Sequence, residues 1–251
     1  MNKRELSKVR SERSQLVVKS NELIQKSRSS MTAQEQKLIL YIISKIQPTD
    51  EDFKMYTVDL KQLCKVCGIE TQGKNYMNFK SSIQALASKT FWIDTKDKDY
   101  LIHWLTNVEI NKYETTVSFR LDERLKPYLL QVKQNFTQFE LENILAFKSR
   151  FSIRLYEFLK SYLYMHEKEF TLDELKELLL IETKYKLFKD FKKYVLNKIL
   201  SEINDYTDLD ITYETIKTGR KVTGILFKIN KKVLFDDRLE VIKNRNKALD
   251  K

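Results

Sequence analysis

Glycine and proline are scarce: 4 and 2 residues in a chain of 251. That excludes collagen-like, low-complexity and turn-dense all-β sequences, and favours helices with short connections. Cysteine stops at two residues, too few for a disulfide scaffold and suited to a reducing cytoplasm. No run approaches the roughly 18 consecutive apolar residues of a membrane span. The opening stretch, residues 1–8, is charged with no apolar segment behind it, so no secretory signal is expected. Acid is outnumbered by base: 35 Asp and Glu against 46 Lys and Arg give a net charge of +11, with a pI of 9.3. Such a balance points to a polyanionic partner, either nucleic acid or an anionic membrane surface. With 42% hydrophobic and 32% charged residues a packed core is expected. At roughly 100–200 residues per domain, the chain holds one large domain or two small ones.

Catalytic and metal motifs are missing too. There is no Gly-x-x-x-x-Gly-Lys-Ser/Thr, Gly-x-Ser-x-Gly or His-Glu-x-x-His. Cys64-Lys65-Val66-Cys67 has half the spacing of a zinc site, but the second ligand pair is lacking, since His103 and His166 stand singly. Leu60, Leu63, Cys64 and Cys67 fall at helical spacing, and small apolar core residues are the ordinary reading. A nicking initiator of the rolling-circle type needs a close pair of metal-binding histidines, which this chain cannot supply. No enzymatic activity, metal or cofactor is expected.

Residues 1–30 carry eight Lys and Arg against three Asp and Glu. Residues 1–15 have weak apolar periodicity and read as a mobile basic arm. Order is expected from Leu16. Thr32-Ala33-Gln34-Glu35 is a capping box, and Leu38, Ile39, Ile42, Ile43 and Ile46 follow at helical spacing, with Pro48 as terminator. Tyr56-Thr57-Val58 is extended. Asp59 caps a helix to Val66 that Gly68 ends, and a further helix spans about 75–87. Phe91–Ile93 and Tyr100–Ile102 form a hairpin around Lys96–Asp99, and a third strand covers 115–121. Helix, strand, helix, turn, helix and hairpin make a winged helix.

The second half repeats the plan. A helix over about 138–147 precedes a longer one over 149–166. Phe170-Thr171-Leu172-Asp173 then echoes Tyr56-Thr57-Val58-Asp59. Ile181-Glu182, Phe191-Lys192 and Val195 echo Ile69-Glu70, Phe79-Lys80 and Ile83 at a constant offset of 112, while a competing register pairs Tyr76-x-x-Phe79-Lys80 with Tyr185-x-x-Phe188-Lys189. Strands over 211–216 and 222–229 flank a basic tip, Lys217-Thr218-Gly219-Arg220-Lys221, with Gly where positive φ is needed. The fold class is α+β, helix-rich, with two tandem winged-helix domains: 16–130 and 131–232, joined near 127–136. Residues 233–251 are a charged tail, a short helix or disordered, with no assigned function.

Residues 184–198 contain six Lys and one Asp. On a helical wheel of Tyr185–Asn204, Phe188, Phe191, Val195, Leu196, Ile199 and Ile203 face the core. Lys186, Lys189, Asp190, Lys193 and Asn197 gather opposite, and Lys192 snorkels from the edge of the apolar stripe. An ammonium-and-amide face suits the major groove: Lys donates to guanine O6 and N7, and Asn bridges adenine N6 and N7. In the first copy the corresponding helix exposes Lys74, Asn78, Ser81, Ser82 and Ala85, mostly small and uncharged groups that allow close approach and bond phosphate oxygens, and Lys80 is expected to hold any duplex alike. The second copy is therefore expected to read sequence and the first to position. The 13 Tyr and 14 Phe could stack on single-stranded bases, but most fall at core positions, and core packing is the ordinary reading.

Five stretches carry a family resemblance. They are Val17–Ile24, Phe151-Ser152-Ile153-Arg154-Leu155-Tyr156-Glu157, Tyr185–Lys192, Glu202–Leu209 and Gly219-Arg220-Lys221-Val222. Together they resemble the initiator replication proteins of iteron-type, theta-replicating plasmids. The resemblance implies a protein that binds directly repeated double-stranded sites at an origin, helps melt an AT-rich segment, and recruits the host initiator and helicase. It also implies an initiating monomer and a repressing dimer, with the first winged helix forming much of the dimer interface. It carries major-groove contact onto Lys186, Lys189, Lys192 and Lys193, and phosphate contact onto Arg154 with Arg150. Lys217, Arg220 and Lys221 of the hairpin join the DNA-binding set. Family recognition helices are often rich in Arg, whereas this one has only Lys. The alternative is a winged-helix transcriptional regulator with no initiation role. No membrane partner is expected, because no long basic amphipathic helix stands alone.

Overall fold

The computed structural model describes residues 3–47, 49–68, 75–94, 97–111, 113, 115–233 and 235–249. The chain forms two units, Met1–Leu145 and Ala146–Lys251. The join expected near 127–136 therefore lies inside the first unit.

The first unit begins with α1 (Lys3–Arg13), where a mobile arm was expected. Polar ties that leave no apolar periodicity hold it. Arg13 donates to the carbonyls of Lys65 at 3.0 Å and Val66 at 3.3 Å. The Glu12 carboxylate accepts from the Tyr41 hydroxyl at 2.6 Å and the Lys45 ammonium at 3.0 Å. Next come β1 (Leu16–Ser20), α2 (Asn21–Lys26), and α3 (Ala33–Ile43), which opens on the Thr32/Glu35 capping box. The α3 helix stops at Ile43, three residues short of Ile46, and Pro48 lies outside the described residues. Then follow β2 (Tyr56–Asp59), α4 (Leu60–Cys67) and α5 (Asn75–Ala87). Asp59 caps α4, and Gly68 ends it at φ +67°. Cys64 and Cys67 are free and buried in α4, and burial pushes their thiols up to about 11 and about 12.

The hairpin β3 (Thr90–Asp94) and β4 (Asp99–His103) stands as its own two-stranded sheet. The wing is instead β5 (Leu105–Asn111) with β6 (Thr116–Leu121), in a sheet of order β2-β6-β5. β5 escapes the sequence pattern for a physical reason. A register shift between Thr106 and Glu109, with Asn107 at φ +49°, interrupts the alternation of two. The unit closes with α6 (Lys126–Leu129), β7 (Phe136–Glu140) and α7 (Glu142–Leu145). β7 replaces the start of the helix expected over 138–147. It pairs antiparallel with β1, Val17 opposite Phe139, and buries Thr137 and Phe139 in strict alternation.

The second unit runs through α8 (Arg150–Ser161), β8 (Glu167–Thr171), α9 (Leu172–Leu178), α10 (Phe188–Phe191), α11 (Asn197–Tyr206), β9 (Leu209–Thr218), β10 (Lys221–Lys231) and α12 (Phe235–Leu249). α8 ends five residues before the expected His166; one 3-10 turn follows, and His166 sits at φ +60°. The sheet order β8-β10-β9 matches β2-β6-β5, so the chain is two tandem winged helices. The copies keep the offset of 112: Asp59 and Thr171 cap α4 and α9, and Gly68 and Leu180 both take positive φ. The echo that paired Asp173 with Asp59 is two residues out. The Ile69-Glu70 echo lies outside the described residues.

At the base of the second wing, Gly224 lies opposite Thr171 of β8 beside a register shift. A Cβ there would lie 2.7 Å from the Phe170 carbonyl oxygen, a backbone atom. Gly224→Ala is expected to cost about 1–3 kcal/mol, the range for overpacking a closed site. A urea midpoint unchanged from wild type would refute this.

Candidate nucleic-acid interface

A π turn over Lys192–Leu196 joins α10 to α11, so residues 188–206 form one helix. Its buried row is Phe191, Val195, Ile199 and Ile203, with Leu196 beside it. The spacing is four residues throughout. In a plain α-helix each step of four drifts by roughly 40°, and three steps would carry Ile203 off the face of Phe191. The π turn takes an extra residue into one turn and cancels most of that drift. The same correction brings Lys189, Lys193, Asn197 and Ser201, all exposed, into one row opposite the core. It also overturns the expectation for Lys192, whose side chain is exposed rather than laid along the apolar stripe. Phe188, expected in the core, is only half-buried.

The stretch Glu202–Leu209 fixes this helix in place. The buried Glu202 carboxylate accepts from the backbone amides of Lys148 at 2.9 Å and Ser149 at 3.2 Å, at the start of α8. The Asn204 side chain bonds both backbone groups of Ile211 in β9, at 2.9 and 2.8 Å. Asp208 accepts from the Tyr156 hydroxyl at 3.0 Å and from the Lys160 ammonium. The orphan carbonyls at the helix C-terminus receive cations, the arrangement the macrodipole favours. Lys232 donates to Asn204 and Thr207, and buried Arg245 of α12 donates to Tyr206 at 2.6 Å. Burial lowers the Lys232 pKa below the usual ammonium range. The tail is thus an ordered helix tied to the end of the helix over 188–206.

The opposite terminus is only partly compensated, by Asp190 in the first turn. Leu187 provides no side-chain cap, and Lys186 and Lys189 stand where the macrodipole disfavours cations by about 0.3–1 kcal/mol each. Lys186, expected on the helix, is exposed in the irregular stretch before it, because the helix begins only at Phe188. An arriving phosphate reverses that balance.

The wing supplies the second basic group. Gly219 at φ +61° and Arg220 make a two-residue turn between Thr218 and Lys221, which pair. All of 217–221 is exposed, so Lys217, Arg220 and Lys221 project beyond the core. Arg150 and Arg154 are half-buried in α8, with the Arg150 guanidinium 4.9 Å from the Phe151 ring. In the first unit, Lys80 and Ser81 are exposed on α5 above buried Ile83 and Leu86. Asn78 sits in α5, its side chain outside the described residues, as is Lys74 altogether. Three exposed residues escaped the sequence reading: Lys198, Tyr194 and Leu187. Tyr194 falls off the apolar stripe on any wheel, so the signal was there. Among the described residues no group of three or more His, Cys, Asp or Glu could hold a metal, and no helix is long and apolar enough to cross a membrane.

Comparison with known families places this geometry. The model described as "Initiator Replication protein, WH1" matches residues 16–160, and that described as "Initiator Rep protein, WH2" matches residues 171–229. No curated protein sequence matches. Among solved structures, the Pi initiator protein in complex with iteron DNA superposes with a TM-score of 0.71 at 17% identity, covering 87% of this chain and 98% of that one. Domains 2 and 3 of RctB align with a TM-score of 0.48 at 14% identity, covering 83% of this chain and 86% of theirs.

Proposed function

The chain belongs to the initiator replication protein family, and from that premise we propose that it binds directly repeated duplex sites at a plasmid origin, promotes opening of an adjacent AT-rich segment, and recruits the host initiator and helicase in the cytoplasm. The observation that carries the reading is the exposed row Lys189, Lys193, Asn197 on a helix whose opposite row is fully buried. The second winged helix reads bases with this row, aided by Lys186 and Lys192, while Lys217, Arg220 and Lys221 of the wing and Arg150 and Arg154 of α8 meet phosphates. The first winged helix positions the complex through Lys80, Ser81, Asn78 and Lys74, and mediates exchange between monomer and dimer. That a similarly folded initiator was solved on iteron DNA supports the assignment. The role asks for no bond chemistry from the chain.

The test is selection of binding sites from random duplex DNA at two salt concentrations. A defined motif that survives the higher salt is expected, and tandem copies of it on a test plasmid should support replication when the chain is supplied. Binding without a motif, with a steep salt slope, would leave only phosphate contacts. A motif without replication would make the chain a regulator.

A further inference from the structure

The recognition helix exposes apolar surface that a solubilising face does not need. Tyr194 is 56% exposed and Leu187 66% exposed, both within the Lys-rich stretch 184–198. The Tyr194 ring is held. The Lys193 ammonium lies 5.0 Å from its centroid, and the Tyr185 ring lies 6.4 Å away, tilted by 31°. Tyr185 itself takes φ +52°, a conformation that bulky residues rarely adopt and that marks sites where the fold imposes a geometry. The π turn includes Tyr194, and such turns re-aim side chains. A ring held in place before binding loses little freedom when it meets a ligand.

Resting on the reading that this helix enters the major groove, we infer that Tyr194 and Leu187 are specificity-determining residues that pack against thymine C5-methyl groups. The chemistry follows from what a groove floor offers. Lys and Asn match the polar edges of guanine and adenine, and the thymine methyl is the one apolar group there. An exposed Leu at the helix start and a fixed aromatic ring about two turns further on can each cover one. The surrounding ammonium groups bring the duplex close enough for that apolar contact, so charge and apolar surface serve one occupant. The chain therefore reads thymines at fixed positions of its site with contacts that salt does not weaken.

The experiment takes the selected site and replaces each thymine in turn by uracil, which keeps the pairing edge and the O4 acceptor and lacks only the methyl. Wild-type full-length protein is expected to bind about fourfold more weakly per methyl lost at two or more positions. Tyr194→Ala should lower affinity for the thymine site by a similar factor and no longer distinguish thymine from uracil at one position. Leu187→Ala should do the same at another, and Tyr194→Phe should retain the preference. Equal wild-type binding to every uracil-substituted site would overturn the inference, as would full thymine preference in both alanine variants. If no site is selected at all, the groove reading falls and takes the inference with it; if a site is selected and uracil is tolerated, only the inference falls.

Discussion

Replacing Lys189 and Lys193 together by alanine is expected to lower the ratio of specific to non-specific binding by about a hundredfold, because each base contact discriminates by about 1–3 kcal/mol. The prediction turns on what each ammonium touches. Both lie on the exposed row opposite the buried core, where a helix seated in the major groove meets base edges. Base contacts release few counterions, so the salt slope of the double variant should stay near that of wild type. Lys80→Ala is the contrast. Lys80 is exposed on α5 of the first unit, among small polar residues. Its loss should weaken all duplexes alike and reduce the slope by about one. Titrations of cognate and scrambled duplexes across a salt series measure both quantities. If the double variant keeps its preference and loses about two from the slope, Lys189 and Lys193 are phosphate contacts, and base reading passes to Asn197 and the apolar residues.

How much of this was legible follows the physics of each signal. Local chemistry read correctly: the Thr32/Glu35 box, the Asp59 cap, Gly68 and Gly219 all appear where side chain and φ demand them. Apolar periodicity located α3, α4 and the helix over 188–206. It failed where the ordering forces are polar or the period is disturbed. The α1 helix is tied by Glu12 and Arg13, and charges carry no amphipathic stripe. β5 is interrupted by its register shift, and β7 alternates over only five residues before the chain turns into α7. The boundary moved because β7 returns to pair with β1, a contact across more than a hundred residues that no local window contains. The interface was legible as a helix and a hairpin, but not as a row. A wheel drawn at a constant 100° cannot show the π turn, although four-residue spacing from Phe191 to Ile203 announces it. Tyr194 was assigned to neither face, although its position on the wheel sets it off the apolar stripe and it is exposed.

Glu202→Ala is expected to destabilise the protein by about 3 kcal/mol. The carboxylate is buried and accepts two backbone amides at the start of α8. Hydrogen bonds to a charged group contribute about 1.5–3 kcal/mol each, and deleting the acceptor leaves two buried donors without partners. Glu202→Gln keeps one carbonyl oxygen and should recover about half. The site links the effect to function. Glu202 belongs to the recognition helix and its partners precede α8, so the bond sets the angle at which the row Lys189, Lys193, Asn197 is presented. Asn204 performs the same service toward β9 and hence toward the wing. Both losses should therefore reduce cognate binding in conditions where the variants remain folded, with the salt slope kept, since no phosphate contact is removed. Urea unfolding gives the stability difference, and titration at low temperature gives the binding difference. A Glu202→Ala protein as stable as wild type would show that water satisfies the two amides, and would remove the argument that this carboxylate orients the helix.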